Sequence, residues 1–374
     1  MRVLHLISSG GFYGAESMLL ALAEAQSRAG LRPVVGVFLD EREPHVELFD
    51  RAAGLGIEAH LIPCAGRWDQ SAVDYIRALL ERRVTLLHCH GYKADVYGFA
   101  AAGRRRIPLI ATCHNWPDKR ISMRAYAMLD RFILGWFDQV TTPSGYVAAT
   151  LKRATVVENG IDVARFQNAE PTLRRELPRH EILIGVVGRL VREKGGEVLL
   201  RAAKTVLAAS PETAFVFVGD GPSRRAWKTL AADLGIGEHV FFTGTRTDMP
   251  NVYASLDMLV LPSFEEAMPM CLLEGLAAGR PVIATRVGEV PKLIEPGVTG
   301  ALIESNDSAA LSDAILRFIE NTREAQSMGR NGQALIARSF SSDAMARKYL
   351  SVYEDALSRR RIEVTVSARK VDAA

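Results

Sequence analysis

The chain has 374 residues, of which 48% are hydrophobic and 24% charged, with a formal net charge of +3. That composition excludes global disorder, the length suggests two domains of about 150 residues each, and the charge is too small to argue for a nucleic-acid partner. The longest stretches free of Asp, Glu, Lys and Arg are 13 residues, at 3–15 and 139–151, too short to cross a bilayer as an uncharged helix.

The N-terminal sequence MRVLHLISSGG has no long apolar core and no secretory cleavage site, so a cytoplasmic protein is expected. Its four cysteines, Cys64, Cys89, Cys113 and Cys271, are scattered and form no CxxC. Such spacing fits reduced, buried thiols better than a disulfide framework or a zinc site.

In chain order, short apolar runs predict strands at 2–7, 33–38, 58–61, 85–88, 109–112 and 139–141. Amphipathic stretches at 15–29, 72–83 and 122–136 lie between them as helices. Strand and helix in alternation imply an α/β domain with a parallel sheet covered on both faces. The alternation pauses at 165–180 (RFQNAEPTLRRELPRH), a polar segment with two prolines that reads as a linker. It then restarts with strands at 182–187, 214–218, 240–242, 258–261 and 282–284. The strand runs ILIGVV and FVFV are apolar throughout, as expected of strands buried on both sides. A last helix is expected at 340–357. The sequence thus predicts two Rossmann-like doubly wound domains, 1–168 and 181–340, facing a cleft, with the last helix returning to the first. Ligands of such sheets bind beyond the strands' carboxyl ends, so the residues after each strand are the ones to examine.

The first junction is SSGGFYGAE over 8–16. Its glycines let backbone amides approach a phosphate at a helix start. The pattern lacks the first glycine of GxGxxG, which argues against a dinucleotide fold and against a nicotinamide oxidoreductase. In the second half, VGRLVREKG over 187–195 places Arg189 and Lys194 after a buried strand, where a guanidinium and an ammonium could neutralise a diphosphate. The segment PSFEEAMPMCLLEGLAAGRP over 262–281 carries Glu266 and Glu274 eight residues apart. With a helix starting near Pro269, both carboxylates could accept hydrogen bonds from vicinal hydroxyls, and the amides of Met270, Cys271 and Leu272 could meet phosphate. No Asp-x-Asp occurs, so a metal-clamped diphosphate is not favoured and no metal is expected. The pair His88 and His90 shares a strand face, but no third ligand is evident from sequence.

These blocks, with VGDGP at 218–222, VENGID at 157–162 and FTG at 242–244, resemble the retaining glycosyltransferases of family 4, which have the GT-B fold. The 262–281 segment is similar to that family's E-x7-E motif, departing from the usual E-G-F/L-P at Ala267 and Met268. The resemblance covers essentially the whole chain. It implies transfer of a sugar from a nucleotide-diphosphate sugar, UDP- or GDP-linked, to an acceptor hydroxyl in polysaccharide, glycolipid or envelope glycan synthesis, with no further cofactor. It also implies roles. Gly11 lies near the donor phosphates, and Arg189 and Lys194 hold the diphosphate. Glu274 binds the ribose, and Glu266 binds the donor sugar, helped by amides near Met268 and Pro269. His114, in the TCH run after the fifth strand, matches the family's TxH position beside the transferred sugar. Gly10, Tyr13 and His90 fall on the acceptor side. A sugar-nucleotide epimerase or a silent sugar-nucleotide-binding scaffold is the alternative on the same fold. Finally, the basic, aromatic-rich stretch 119–137 reads first as a core helix and second as a contact with an anionic membrane at its inner face.

Overall fold

In the computed structural model, residues 1–40, 42, 44–66, 68–103, 107–114, 121–151, 153–178 and 180–360 are described, with 121–127 described by backbone alone. Lys119, Arg120 and the tail beyond 360 lie outside the described residues.

The chain forms two compact units, Met1–Gly160 with Ser342–Ala374, and Ile161–Ser341. The first carries β1 (Arg2–Ser8), β2 (Arg32–Leu39), β3 (Glu58–Pro63), β4 (Leu86–His90), β5 (Leu109–Thr112), β6 (Gln139–Thr142) and β7 (Thr155–Val156). They form one sheet in the order β3-β2-β1-β4-β5-β6-β7, with every pairing parallel. The second carries β8 (Ile182–Val187), β9 (Thr213–Val218), β10 (Val240–Gly244), β11 (Met258–Leu261), β12 (Val282–Thr285) and β13 (Ala301–Ile303), in the order β10-β9-β8-β11-β12-β13, again all parallel. Both sheets are doubly wound, and both reverse direction of travel beside their first strand. The crevice beyond the β1 and β4 ends, and that beyond β8 and β11, are therefore the topological switch points.

The alternation of side chains along β1 divides the first unit's core. Leu4 and Leu6 join a cluster with Ile76 and Tyr97 on one face, whereas Ile7 packs with Leu19, Val35 and Leu48 on the other. His5 shares the face of Ile7. That face is also covered by the helix Ser342–Arg359, whose Tyr349 and Tyr353 are buried. In the second unit Phe215, Phe217, Leu199 and Trp227 centre the main cluster.

The segment expected as a linker is instead part of the second unit's wall. It forms two short helices, Ala164–Gln167 and Leu173–Glu176. Phe166 and Leu173 are buried, the Leu173 amide donates to Ser255 Oγ at 3.1 Å, and Arg174 Nε donates to the Ser255 carbonyl at 2.9 Å. Two apolar residues in a polar run are enough to dock it, and polarity alone hid that. The unit boundary accordingly falls at Gly160/Ile161 rather than within 165–180. The short strands β7 and β13 were not expected, because two or three residues leave no readable alternation.

One buried polar feature holds two helices of the first unit. Asp95, on the helix Tyr92–Ala102, and Asp130, on the helix Ile121–Leu134, face one another and are both almost fully buried. Among the described residues no donor reaches either Asp95 carboxyl oxygen or Asp130 Oδ1. Burial pushes both acids up, Asp130 to about 6 and Asp95 well above the usual carboxylate range. An acid whose folded pKa is raised holds a proton that the unfolded chain releases earlier. Its cost is therefore absent at low pH and grows as pH climbs from the unfolded value through about 6. Asp95→Asn, whose neutral amide can donate to Asp130, should raise Tm at pH 8 by about 3 °C or more, with the gain vanishing near pH 4.5. Thermal denaturation of both proteins across that range checks it.

Candidate active site

At the second unit's switch point, β8 gives way to Gly188 and Arg189, followed by a one-turn 3-10 helix at Arg192–Lys194 and the helix Gly196–Ala209. Gly195 joins them in the left-handed region at φ 65°, and a Cβ there would lie 1.9 Å from the Pro262 carbonyl oxygen. The loop after β8 is thus pressed backbone to backbone on the loop after β11. The Phe264 amide donates to the Glu193 carbonyl at 2.8 Å, which ties the same two loops.

That approach creates the site's central contact. Lys194 Nζ donates to Glu266 Oε1 at 2.5 Å, and Ser263 Oγ donates to the same oxygen at 2.7 Å. Glu266 is nearly buried at the side chain, and Lys194 is mostly so. Burial by itself would lower the Lys194 pKa, but the Glu266 carboxylate outweighs it and holds the ammonium above the usual lysine value. A third loop backs the pair. A Cβ at Gly288, φ 50°, would lie 1.8 Å from the Glu266 carbonyl oxygen, and the Glu289 amide donates to the Ala267 carbonyl at 2.9 Å. Arg189, from the same loop as Lys194, is exposed.

The helix Met270–Ala277 starts immediately after Pro269, as its sequence predicts. Glu274 sits on its second turn and accepts from Tyr253 Oη at 2.8 Å. Tyr253 is buried with its pKa pushed up, so it stays a neutral donor and orients the carboxylate. Met268, Pro269, Met270, Cys271 and Leu272 have buried side chains, so only their backbones can meet a ligand. Of the three helix-start amides, that of Leu272 donates to the Pro269 carbonyl at 3.2 Å. Met270 and Cys271 keep the amides that lack intrahelical acceptors. Burial pushes the Cys271 thiol up to about 12, which removes it as a nucleophile.

The first unit supplies a separate group. After β1, Ser9 Oγ donates to the Gly11 carbonyl at 2.8 Å, Gly10 is exposed, and the Tyr13 amide donates to Glu16 Oε2 at 3.1 Å at the start of the helix Gly14–Arg28. Tyr13 itself is exposed. After β5, His114 is half-buried, and its Nε2 lies 3.3 Å from His90 Nδ1. Burial lowers the His114 pKa to about 4, so the ring is neutral at physiological pH. His90, expected on the acceptor side, is only 3% exposed and has both ring nitrogens engaged. It lies beneath the surface, between His5 and His114. Sequence reasoning also missed His5, which sits in register with His88 across the β1–β4 pair. The signal was present: the two strands flank the switch point, with His5 on one and His88 and His90 on the other.

Two family profiles match the chain, one described as Glycosyltransferase Family 4 over residues 12–165 and one as Glycosyl transferases group 1 over residues 170–335. A D-inositol 3-phosphate glycosyltransferase of Corynebacterium kroppenstedtii is 29% identical over 307 residues, covering 74% of this chain and 68% of that protein. A lipopolysaccharide core biosynthesis mannosyltransferase of Rhizobium meliloti is 29% identical over 245 residues, covering 62% and 70%. Among solved structures, Anabaena Alr3699/HepE in complex with UDP and glucose superposes with a TM-score of 0.82 at 22% identity, covering 95% of this chain and 99% of that one. The fold is that of the GT-B glycosyltransferases.

The Lys194–Glu266 pair gives a direct test. Lys194→Met leaves a nearly buried carboxylate without its cation and should cost about 3 kcal/mol of stability. Lys194→Met with Glu266→Gln removes both charges and should recover more than half of that loss in urea denaturation. A double variant as unstable as the sum of the singles would show that the pair is not coupled.

Proposed function

The chain belongs to glycosyltransferase family 4 and moves a sugar from a nucleotide-diphosphate sugar to an acceptor; on that premise we propose that it transfers with retention, with the donor held by Lys194, Arg189, Glu266 and Glu274. The observation that carries this assignment is the convergence of Lys194 and Ser263 on Glu266 Oε1 at the second sheet's switch point.

The physical roles follow from the groups. Lys194 is a protonated ammonium beside a carboxylate, and a diphosphate oxygen is a further anionic acceptor for it. Arg189, exposed in the same loop, adds a forked donor that needs no rearrangement of the core. The Met270 and Cys271 amides add helix-start dipole. Together these cations and amides stabilise charge that grows on the leaving diphosphate, with no metal assigned to that role. Glu266 and Glu274 accept from sugar and ribose hydroxyls. The bond from the anomeric carbon to the diphosphate oxygen breaks, and the acceptor oxygen bonds to that carbon from the same face. The acceptor proton passes to the departing phosphate oxygen. No side chain of this set is placed as a nucleophile, and a neutral His114 serves as a hydrogen-bonding partner of the sugar rather than as an acid.

The donor is a UDP- or GDP-sugar in this reading. UDP or GDP should raise Tm in a thermal-shift panel, whereas NAD should not. Lys194→Ala should lower turnover about a hundredfold with the fold intact. A product of inverted anomeric configuration, read by NMR, would defeat the retaining mechanism.

The acceptor in this reading belongs to a polysaccharide or a lipid-linked glycan at the inner face of a membrane. No helix of the described residues is long and apolar enough to cross a membrane. The end of the helix Ile121–Leu134 from Met128 onward divides instead into two faces. Asp130, Ile133 and Leu134 are buried, while Met128, Leu129 and Phe132, with Trp136 just beyond, are exposed. Exposed apolar rings on one face suit a headgroup boundary. The protein should co-sediment with vesicles containing anionic phospholipid, and Phe132→Glu with Trp136→Glu should weaken that binding at least about tenfold while leaving thermal stability unchanged. Equal sedimentation of both proteins would remove the membrane from the proposal.

A further inference from the structure

The first unit contains a polar line that its sheet would be expected to exclude. His5 and His88 are fully buried and His90 is 3% exposed, with ligand atoms of the three within 4.8 Å of one another. Three clustered imidazoles suggest a metal, but every ring nitrogen among them already has a hydrogen-bonding partner. His5 Nδ1 lies 3.1 Å from His90 Nε2, and His5 Nε2 lies 2.9 Å from Gln26 Oε1. His88 Nδ1 lies 2.8 Å from Tyr353 Oη, and His88 Nε2 lies 2.7 Å from Thr112 Oγ1. His90 Nδ1 meets His114 Nε2 at 3.3 Å.

The direction of this line is fixed at one end. The Ala111 carbonyl can only accept, and Thr141 Oγ1 donates to it at 3.1 Å. The Thr141 hydroxyl proton is thereby engaged, so Thr112 donates across the 2.7 Å contact between the two hydroxyls. Thr112 Oγ1 must then accept from His88 Nε2, and also from Tyr349 Oη at 3.0 Å. Burial keeps His88 neutral, so its Nδ1 carries the lone pair and accepts from Tyr353. The Tyr353 oxygen accepts in turn from Gln26 Nε2 at 3.0 Å. This turns Gln26 Oε1 toward His5, whose Nε2 must donate to it. His5 and His90 are likewise held neutral by burial. His5 Nδ1 therefore accepts from His90 Nε2, and His90 Nδ1 accepts from His114 Nε2.

We propose that His90, His5 and Gln26 are positioning residues: the one-way line of hydrogen bonds through them locks His114 in its Nε2–H tautomer and leaves the Nδ1 lone pair as the atom His114 presents. The tautomer follows from this geometry with the rings held neutral, and its effect on turnover rests on the reading of His114 as the sugar's partner. A histidine held in one tautomer accepts a hydroxyl proton at a known atom, and a tautomer mixture halves that competence or worse.

The full chain labelled with 15N-histidine gives two-bond correlations that distinguish the tautomers of its eight histidines, and His114→Gln assigns the signal. A single Nε2–H pattern for His114 is expected. Gln26→Leu should mix the tautomers and lower kcat about tenfold or more with donor KM within about twofold. Thr141→Val removes the anchoring hydroxyl at nearly constant volume and should loosen the same tautomer, which covers the case in which Gln26→Leu does not fold. An Nδ1–H His114 in the wild type, an unchanged pattern in Gln26→Leu, or a stoichiometric metal in the purified protein would overturn the relay. A shifted tautomer with unchanged kcat would overturn the positioning role. A wild type with the expected tautomer but no transfer from any nucleotide sugar would instead count against the proposed reaction.

Discussion

Both sheets are built from parallel strands covered on two sides by helices, and that constraint orders the rest of the molecule. Such strands have little room for polar side chains, because each one buried must find its partner in place. Chemistry is therefore displaced to the carboxyl ends, where strands give way to turns. In the second unit the loops after β8, β11 and β12 crowd so closely that Gly195 and Gly288 each face a carbonyl oxygen nearer than a Cβ could stand. Lys194 and Glu266 meet because the backbones do.

The first unit departs from the same rule in an instructive way. Three histidines lie within its sheet, and they are tolerated because hydrogen bonds with Gln26, Thr112 and Tyr353 complete them, with Tyr349 bonded in turn to Thr112. Two of those partners come from the helix Ser342–Arg359, more than 230 residues away from Thr112 in sequence. The helix is thus the lid of a polar network as well as part of the hydrophobic wall. Asp95 and Asp130 show the opposite case, a buried acid pair in which, among the described residues, no donor reaches either Asp95 oxygen or Asp130 Oδ1, and which is costly once both protons leave.

Much of this was legible in sequence. Apolar runs located eleven of the strands, and the 262–281 segment located the carboxylate pair and its helix start. What failed did so for identifiable reasons. The 165–180 segment looked like a linker because Phe166 and Leu173 are its only buried apolar side chains among the described residues, and two residues make no periodic signal. The partners of His90 were not legible, because a strand-end position does not reveal what covers it.

The sequence by itself determined the alternation of strand and helix, the parallel sheets that follow from it, and which residue types stand after each strand. Those depend on local periodicity and on spacing along the chain. Only the tertiary structure decided which of them meet. The pairing of Lys194 with Glu266, of Tyr253 with Glu274, and of Gln26 with both His5 and Tyr353 joins positions far apart in the chain. Such contacts depend on how close two loops can pack and on which buried polar atoms lack other partners, and neither is a property of any single segment.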